Sequence, residues 1–410
     1  MRAGAFIASA VVLAVVSLVA AAAGPAEQWL QYSSSDTPSG AVASTIGQEL
    51  KLTDKAPPGL ALPKFKSDKP LFALWKVKLD RPPARVAVDG GIWLALDQSR
   101  KDGPYDLLYA DAKAEGTLAD ASPIKADASE EHPESSYAYA RFLQVRFTLP
   151  GADGPAAYHA QFTYVHRGAE RYVRVTSACW YEGQITIDGR KLWCLLADNN
   201  ANTRFDDSGT SRDACDRIGV ATAREKSSQY SATRYVGKHL QLDEKLYRVT
   251  IAPDGAFVQF APAGPLPAGT IRVPDGVDEF AVFGPMGNFS CKPVAGSASM
   301  PAGKYMLDNW RQARNDAAGA RWLIFDPGNT TVRPFTVEPN KEVVLDIGEP
   351  FVWEVSARRS GADYSINLII RSRKGDYLRR KLGDEMPPQP RVRIRSADGK
   401  YDKTFDLAYG

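Results

Sequence analysis

Leu246-Tyr-Arg-Val-Thr-Ile-Ala-Pro-Asp-Gly-Ala-Phe-Val-Gln-Phe260 decides how this chain is read. Apolar and polar residues alternate up to Ile251 and again from Ala256, and Asp254-Gly255 lies between the two runs. Period-two alternation rich in β-branched and aromatic residues is the pattern of a half-buried strand. Asp-Gly suits a tight hairpin, because both central residues of a type I′ turn take positive φ. The dipeptide recurs at 89–90, 102–103, 153–154, 188–189, 275–276 and 398–399. Similar alternating runs occupy Leu71 to Leu79, Tyr172 to Thr176 and Gln184 to Asp188. Lys304 to Ala318 is the best helical candidate, although Gly303 and Gly319 bound a strand and loop equally well. The expected class is mainly β.

Composition narrows the function classes. The chain has 410 residues, of which 44% are hydrophobic and 24% charged, so core-forming material is ample. Lys and Arg number 51 against 48 Asp and Glu, a net +3 that is too balanced to make nucleic acid the default partner. Four His and four Cys leave little material for a zinc or iron–sulfur centre. Arg2, the apolar run Ala5 to Val19 and the small residues Ala20 to Gly24 have the layout of an export leader cut after Ala23. No other segment reaches a membrane-spanning length of apolar residues, so no transmembrane segment is expected in the mature chain. The expected location is periplasmic, cell-surface or extracellular. Cys179, Cys194, Cys215 and Cys291 then allow three disulfide connectivities. Turns at Glu182-Gly183 and Asp188-Gly189 would set Cys179 and Cys194 two strands apart and out of bridging range.

Beyond the leader, residues 24–68 are rich in Ala, Ser and Pro and read as a linker or loosely packed arm. A β domain over 69–262 follows, built from two related units at about 70–150 and 155–262. Three prolines in Ala261-Pro-Ala-Gly-Pro-Leu-Pro267 mark the next boundary, and 263–410 carries six or seven strand candidates. Met300-Pro-Ala-Gly-Lys-Tyr-Met-Leu307 resembles the strand entry of transthyretin-like and carboxypeptidase-regulatory-like sandwiches, with Met300 where Leu is usual. That resemblance implies an immunoglobulin-like or transthyretin-like β-sandwich. The whole is expected to be a multi-domain protein of antiparallel β domains.

The two units are inferred from a repeat. Leu108-Tyr-Ala-Asp-Ala-Lys-Ala-Glu-Gly-Thr-Leu-Ala-Asp120 aligns without gaps to Leu195-Leu-Ala-Asp-Asn-Asn-Ala-Asn-Thr-Arg-Phe-Asp-Asp207. The second copy carries oxygen side chains at Asp198, Asn200, Asn202, Asp206 and Asp207 around an apolar Phe205. Alternate oxygen donors are what a Ca2+ cage requires. The spacing resembles the calcium loop of EF-hand and dockerin modules, which implies a Ca2+ site of about 10⁻⁴–10⁻³ M affinity, as in extracellular modules. It departs from that pattern at Thr203, where Gly makes the sharp turn, and at Gly209, where a bidentate acid is usual. Lys113 puts an ammonium in the first copy, which is expected to be metal-free. The competing reading is a pair of Asx-rich turns whose side-chain oxygens cap backbone N–H groups.

The wider chain is similar to uncharacterised secreted β-rich proteins of planctomycete-type bacteria. The residues concerned are Pro63 to Phe72, Trp93-Leu-Ala-Leu-Asp97, Trp180-Tyr-Glu-Gly183, Asp198 to Asp207 and Arg393 to Asp402. The resemblance implies export and a β fold, and carries no activity with it.

Catalytic constellations are sparse. No G-x-S-x-G elbow, H-E-x-x-H or Gly-rich phosphate loop is present. Glu182, beside Trp180 and Tyr181, is the candidate acid of a carbohydrate-active hydrolase, since an acid near aromatic rings has a raised pKa and rings stack on sugars. The stronger reading is that Glu182-Gly183 is a hairpin turn with Trp180 covering the core. From 356 to 400 there are 12 Lys and Arg against 5 Asp and Glu. Arg391, Arg393 and Arg395 alternate with Val392 and Ile394, and Arg371 and Arg373 lie on one face of another strand. Five arginines on one sheet face would hold acidic polysaccharide or lipid phosphate, against the competing reading of a solvated outer face that discourages edge aggregation. The function expected first is an exported, non-catalytic structural or binding protein of the cell envelope or extracellular space, partnered by polysaccharide or another envelope component, with Ca2+ as the expected stabilising ion. A hydrolase acting through Glu182 and a polyanion binder are the alternatives.

Overall fold

A computed structural model describes residues 25–132, 137–152, 154–229, 232–328, 334–361 and 363–408. The leader read over 1–23 lies outside the described residues. Strand makes up 53% of the chain and helix 5%, and among the described residues the sheets are antiparallel apart from two parallel pairings. The class is mainly β. Among the described residues no helix is long and apolar enough to cross a membrane.

Three sheets, with the His239–Leu242, Lys245–Ile251 and Phe257–Pro262 strands of a fourth, enclose the first core. One is five-stranded and runs Gln48–Lys51, Glu170–Ser177, Gly154–Arg167, Tyr137–Gly151, Ala128–His132. The second is four-stranded, from Leu71–Trp75 through Ile92–Asp97 and Leu107–Ala110 to Ile124–Lys125. The third runs Thr233–Tyr235, Arg217–Ala221, Arg190–Ala197, Cys179–Ile187, Gln31–Ser34. Alternation supplies the inward faces: Ala138, Ala140 and Phe142 of one strand are buried and, past a bulge that shifts the phase, so are Val145, Phe147 and Leu149. Trp75, fully buried, lies 5.0 Å from Phe147 and 5.7 Å from Phe162, which fastens two sheets together.

The two units expected over 70–150 and 155–262 share this core. The Tyr137–Gly151 and Gly154–Arg167 strands pair along their whole length across the expected junction. The arm expected over 24–68 is likewise no free linker. Its strands extend three different sheets: Gln28–Trp29 pairs Phe257–Pro262, Gln31–Ser34 pairs Cys179–Ile187, and Gln48–Lys51 pairs Glu170–Ser177. Leu30, Val42 and Leu50 are buried in the process.

A second core, from Ile271 to Leu378, gathers around Trp310, Phe280, Tyr305 and Leu307. The proline-rich boundary near 262 therefore separates two cores, but one sheet crosses it. In that sheet His239–Leu242 pairs in parallel with Gly287–Cys291. Tyr235 stacks 4.4 Å from Phe283 at the seam, and Arg212 pairs with Asp308 at 3.0 Å. Lys304 to Ala318 is strand over Gly303–Asn315 followed by a turn, because Tyr305, Leu307, Trp310 and Gln312 are needed on the buried face.

Candidate functional site

The two copies of the repeat fold alike. In each, a strand delivers an aspartate whose carboxylate accepts the N–H groups four and five residues on. Asp111 accepts Glu115 N at 2.9 Å and Gly116 N at 2.7 Å; Asp198 accepts Asn202 N at 3.2 Å and Thr203 N at 2.7 Å. Ala114 and Ala201 are both fully buried, with φ of 54° and 50°. Gly116 and Thr203 take φ of 79° and 77°. Leu118 and Phe205 then plug the loop into the core. The β-branched Thr203 thus does adopt the left-handed conformation. Its N–H is fixed by Asp198 and its hydroxyl donates to Lys78 O at 3.2 Å.

The oxygens singled out for Ca2+ are spent on these internal bonds. Asp198 is fully buried and also accepts the Tyr158 hydroxyl at 2.8 Å. Asp206 is held by Arg204 through Nε and Nη2, at 2.9 and 3.0 Å. Asp207 receives Lys78 Nζ at 2.7 Å on one oxygen and the side-chain amides of Asn200 and Asn202 on the other. Asn200 Oδ1 is the loop's one buried side-chain acceptor without a partner, against the six to eight donors Ca2+ takes. No group of three or more His, Cys, Asp or Glu suited to a metal occurs among the described residues. In this arrangement the loop's oxygens are bonded as in an Asx-rich turn.

Asp216 was not singled out in the sequence, and nothing local to Cys215-Asp216-Arg217 distinguishes it. Fully buried, it accepts Asn199 N at 3.0 Å and Asp207 N at 2.8 Å, closing the second loop from the neighbouring strand. Burial, and then the charges of Asp198 and Asp207, push its carboxyl well above the usual range. Burial raises Asp198 to about 7 against the pull of Tyr158 and the two N–H groups. Burial would also raise Asp207, but Lys78 and the two amides outweigh it and hold this carboxyl low.

At the hydrolase candidate, Glu182-Gly183 is no turn. Cys179–Ile187 is one continuous strand, with Gly183 opposite Cys194 and the hairpin at Asp188-Gly189, where φ is 50° and 74°. Cys179 and Cys194 therefore lie on adjacent strands, out of register, and all four cysteines are free thiols. Glu182 is buried and gripped by Arg224 through Nε at 2.8 Å and Nη2 at 2.6 Å, with Ser33 donating at 3.1 Å. The Arg224 contact holds its carboxyl below the usual value, so the raised pKa expected of a general acid is overturned. Trp180 packs on Ala41, Val42, Leu195 and Ala197, while Tyr181 contacts Tyr32 and Phe205. Trp180 is itself a hydrogen-bond partner of Glu182, and Tyr181 lines a small separate cleft with Asp80 and Asp254.

The five arginines do not share a sheet face. Arg371 ends the Asp363–Arg371 strand and Arg373 lies in the turn beyond it. Arg391, Arg393 and Arg395 belong to a separate hairpin. Arg371 pairs with Glu354 at 2.7 Å, Arg373 with Asp346, Arg391 with Asp406 at 3.0 Å, and Arg393 with both oxygens of Asp402. The acids at 402 and 406 fall just past the stretch whose charge is lopsided. Arg379, Arg380 and Lys381 form no ion pair among the described residues. They border a cleft of about 550 Å³ whose walls include Phe325, Ile369, Tyr377 and Leu407. Arg380 lies 4.9 Å over the Trp353 ring.

Neither a protein-family model, nor a curated protein, nor a solved structure matches this chain.

Proposed function

We propose that this is an exported, non-catalytic structural or binding protein of the cell envelope or extracellular space, whose C-terminal half presents the binding surface. One observation carries the reading. Eight of the thirteen large hydrophobic side chains exposed among the described residues lie beyond residue 350, including Trp353, Val355, Tyr364, Tyr377 and Phe405. The acids that would do chemistry, by contrast, are committed to holding loops and strands. Export rests on the leader pattern over residues 1–23.

A polyanion-binding reading is favoured by the unpaired Arg379, Arg380 and Lys381 beside the aromatic Tyr377 and Trp353. It moves the expected cationic surface from Arg371, Arg373 and the arginines of the terminal hairpin to this strand. Co-sedimentation of the mature chain with neutral and acidic insoluble polysaccharides, with reducing ends assayed in the supernatant, tests both readings. Retention without release of reducing ends is expected, and Arg379→Ala/Lys381→Ala weakens retention on the acidic polymer. Release of reducing ends that Glu182→Gln abolishes would overturn the non-catalytic reading.

A further inference from the structure

The Val352–Ser360 strand is the last strand of the twelve-stranded sheet, and all nine of its residues are exposed. It pairs with Asp363–Arg371 over nine register positions, but only Ile370 and Arg371 continue the ladder into Tyr377–Leu382. Residues 352–369 are thus largely a two-stranded ribbon projecting past its neighbour. A two-stranded hairpin is marginally stable alone in water, and three or more strands are needed for independent stability. The free edge carries no proline, no lysine and no covering element among the described residues, and the charges it does carry, on Glu354, Arg358 and Arg359, are of both signs.

The edge is complementary to itself. We propose that two copies of this chain pair edge to edge through Val352–Ser360, antiparallel about a two-fold axis at Ser356. With the axis perpendicular to the sheet, opposed residues must share a face, so their numbers sum to an even value. Of the registers near the strand centre, the one centred on Ser356 sets Glu354 opposite the partner's Arg358, twice by symmetry. Arg358 makes no ion pair among the described residues, and Glu354 engages Arg371 through Oε2 alone. On the other face Trp353 meets the partner's Arg359, and Val355 meets the partner's Ala357. The apolar residues of that face, with Ile366 and Leu368 from the paired strand, become one stripe across a four-stranded sheet. This association is independent of which ligand the molecule binds.

Sedimentation velocity on the mature chain from 1 to 100 µM tests it, comparing wild type, Glu354→Arg and Arg358→Glu. Wild type should dimerise, and each variant, which opposes like charges at both symmetric positions, should weaken the dimer about tenfold or more. An equimolar mixture of the two variants places opposite charges at both positions again and should restore the dimer. A monomeric wild type at 100 µM would overturn the proposal, as would variants that dimerise unchanged or a mixture that stays monomeric. Circular dichroism of each variant separates loss of pairing from loss of fold, and the mixture's recovery reports on the register itself.

Discussion

Asp198 and Asp216 are both fully buried, yet five hydrogen-bond donors converge on them. Burial still wins, raising Asp198 to about 7 and Asp216 in the same direction, each worsened by neighbouring carboxylates. The groups facing them are Tyr158, Asp207 with its Lys78, and the Cys179 thiol, which burial raises to about 11. A carboxyl whose folded value exceeds its unfolded one stabilises fully below the unfolded value near 3.9, and that stability is lost as pH rises through the folded value. Thermal midpoints should therefore fall between about pH 4 and pH 7.5. Asp216→Asn should flatten that fall, because it removes one such group and relieves the other. A pH scan whose slope is unchanged in the variant would refute the assignment. Because the loop's oxygens are already satisfied, 2 mM calcium against EDTA should leave the wild-type midpoint within about a degree. A rise lost in Asp198→Ala and Asp207→Ala would instead restore the calcium reading. Sequence spacing brought Asp198, Asn202 and Asp207 to notice. It could not tell a cation's ligands from a backbone's acceptors, since both need oxygens at alternate positions.

The loops and strands show where one sequence can be read and where it cannot. Alternation located strands such as Tyr172–Thr176 and Leu246–Ile251, because the pattern of burial is local. Asp-Gly was a less uniform sign: among the described pairs only Asp188-Gly189 has both residues at positive φ. At Asp89-Gly90 the glycine instead ends the short helix Ala84–Asp89. The Gln28–Trp29, Gln31–Ser34 and Gln48–Lys51 strands were invisible, since each is two to four residues long and is fixed by a partner more than a hundred residues away. Leu30→Ala and Leu50→Ala should each cost about 2–4 kcal/mol in denaturant unfolding, as core positions do and a linker would not. The repeat yields a paired test. Thr203→Gly relieves a left-handed β-branched residue while giving up its bond to Lys78, so its effect should stay within about 1 kcal/mol. Gly116→Thr should cost about 2 kcal/mol or more, because a Cβ there would meet Arg85 Cγ at 2.3 Å and Cβ at 2.5 Å. Equal losses from the two would mean the loops differ more than their dihedrals do.

At the scale of the whole molecule, two cores hang on one sheet, and cooperativity depends on the strength of the seam. The first core closes with Val258 and the second opens with Ile271, so their buried apolar sets do not overlap. Two parallel ladder positions join them, His239 to Gly287 and Leu240 to Asn288, along with the Tyr235–Phe283 stack and the Arg212–Asp308 pair. Arg217, 4.7 Å over the Tyr235 ring, braces the stack from the first core's side. These contacts, even with the bonds of Lys238 N to Pro285 O, His239 N to Met286 O and Ser290 N to Gln241 Oε1, are few beside the 38 buried apolar side chains of the first core and the 15 of the second among the described residues. Exposed ion pairs add about 0–1 kcal/mol. Calorimetry should then resolve two transitions, as expected for units that each bury their own core. Phe142→Ala should lower one midpoint and Leu307→Ala the other, since each side chain is fully buried in a different core. Tyr235→Ala should move the two apart without deleting either. If both core variants displace a single peak equally, the continuous sheet transmits unfolding across the seam. The proline-rich boundary would then divide the packing of the molecule without dividing its stability.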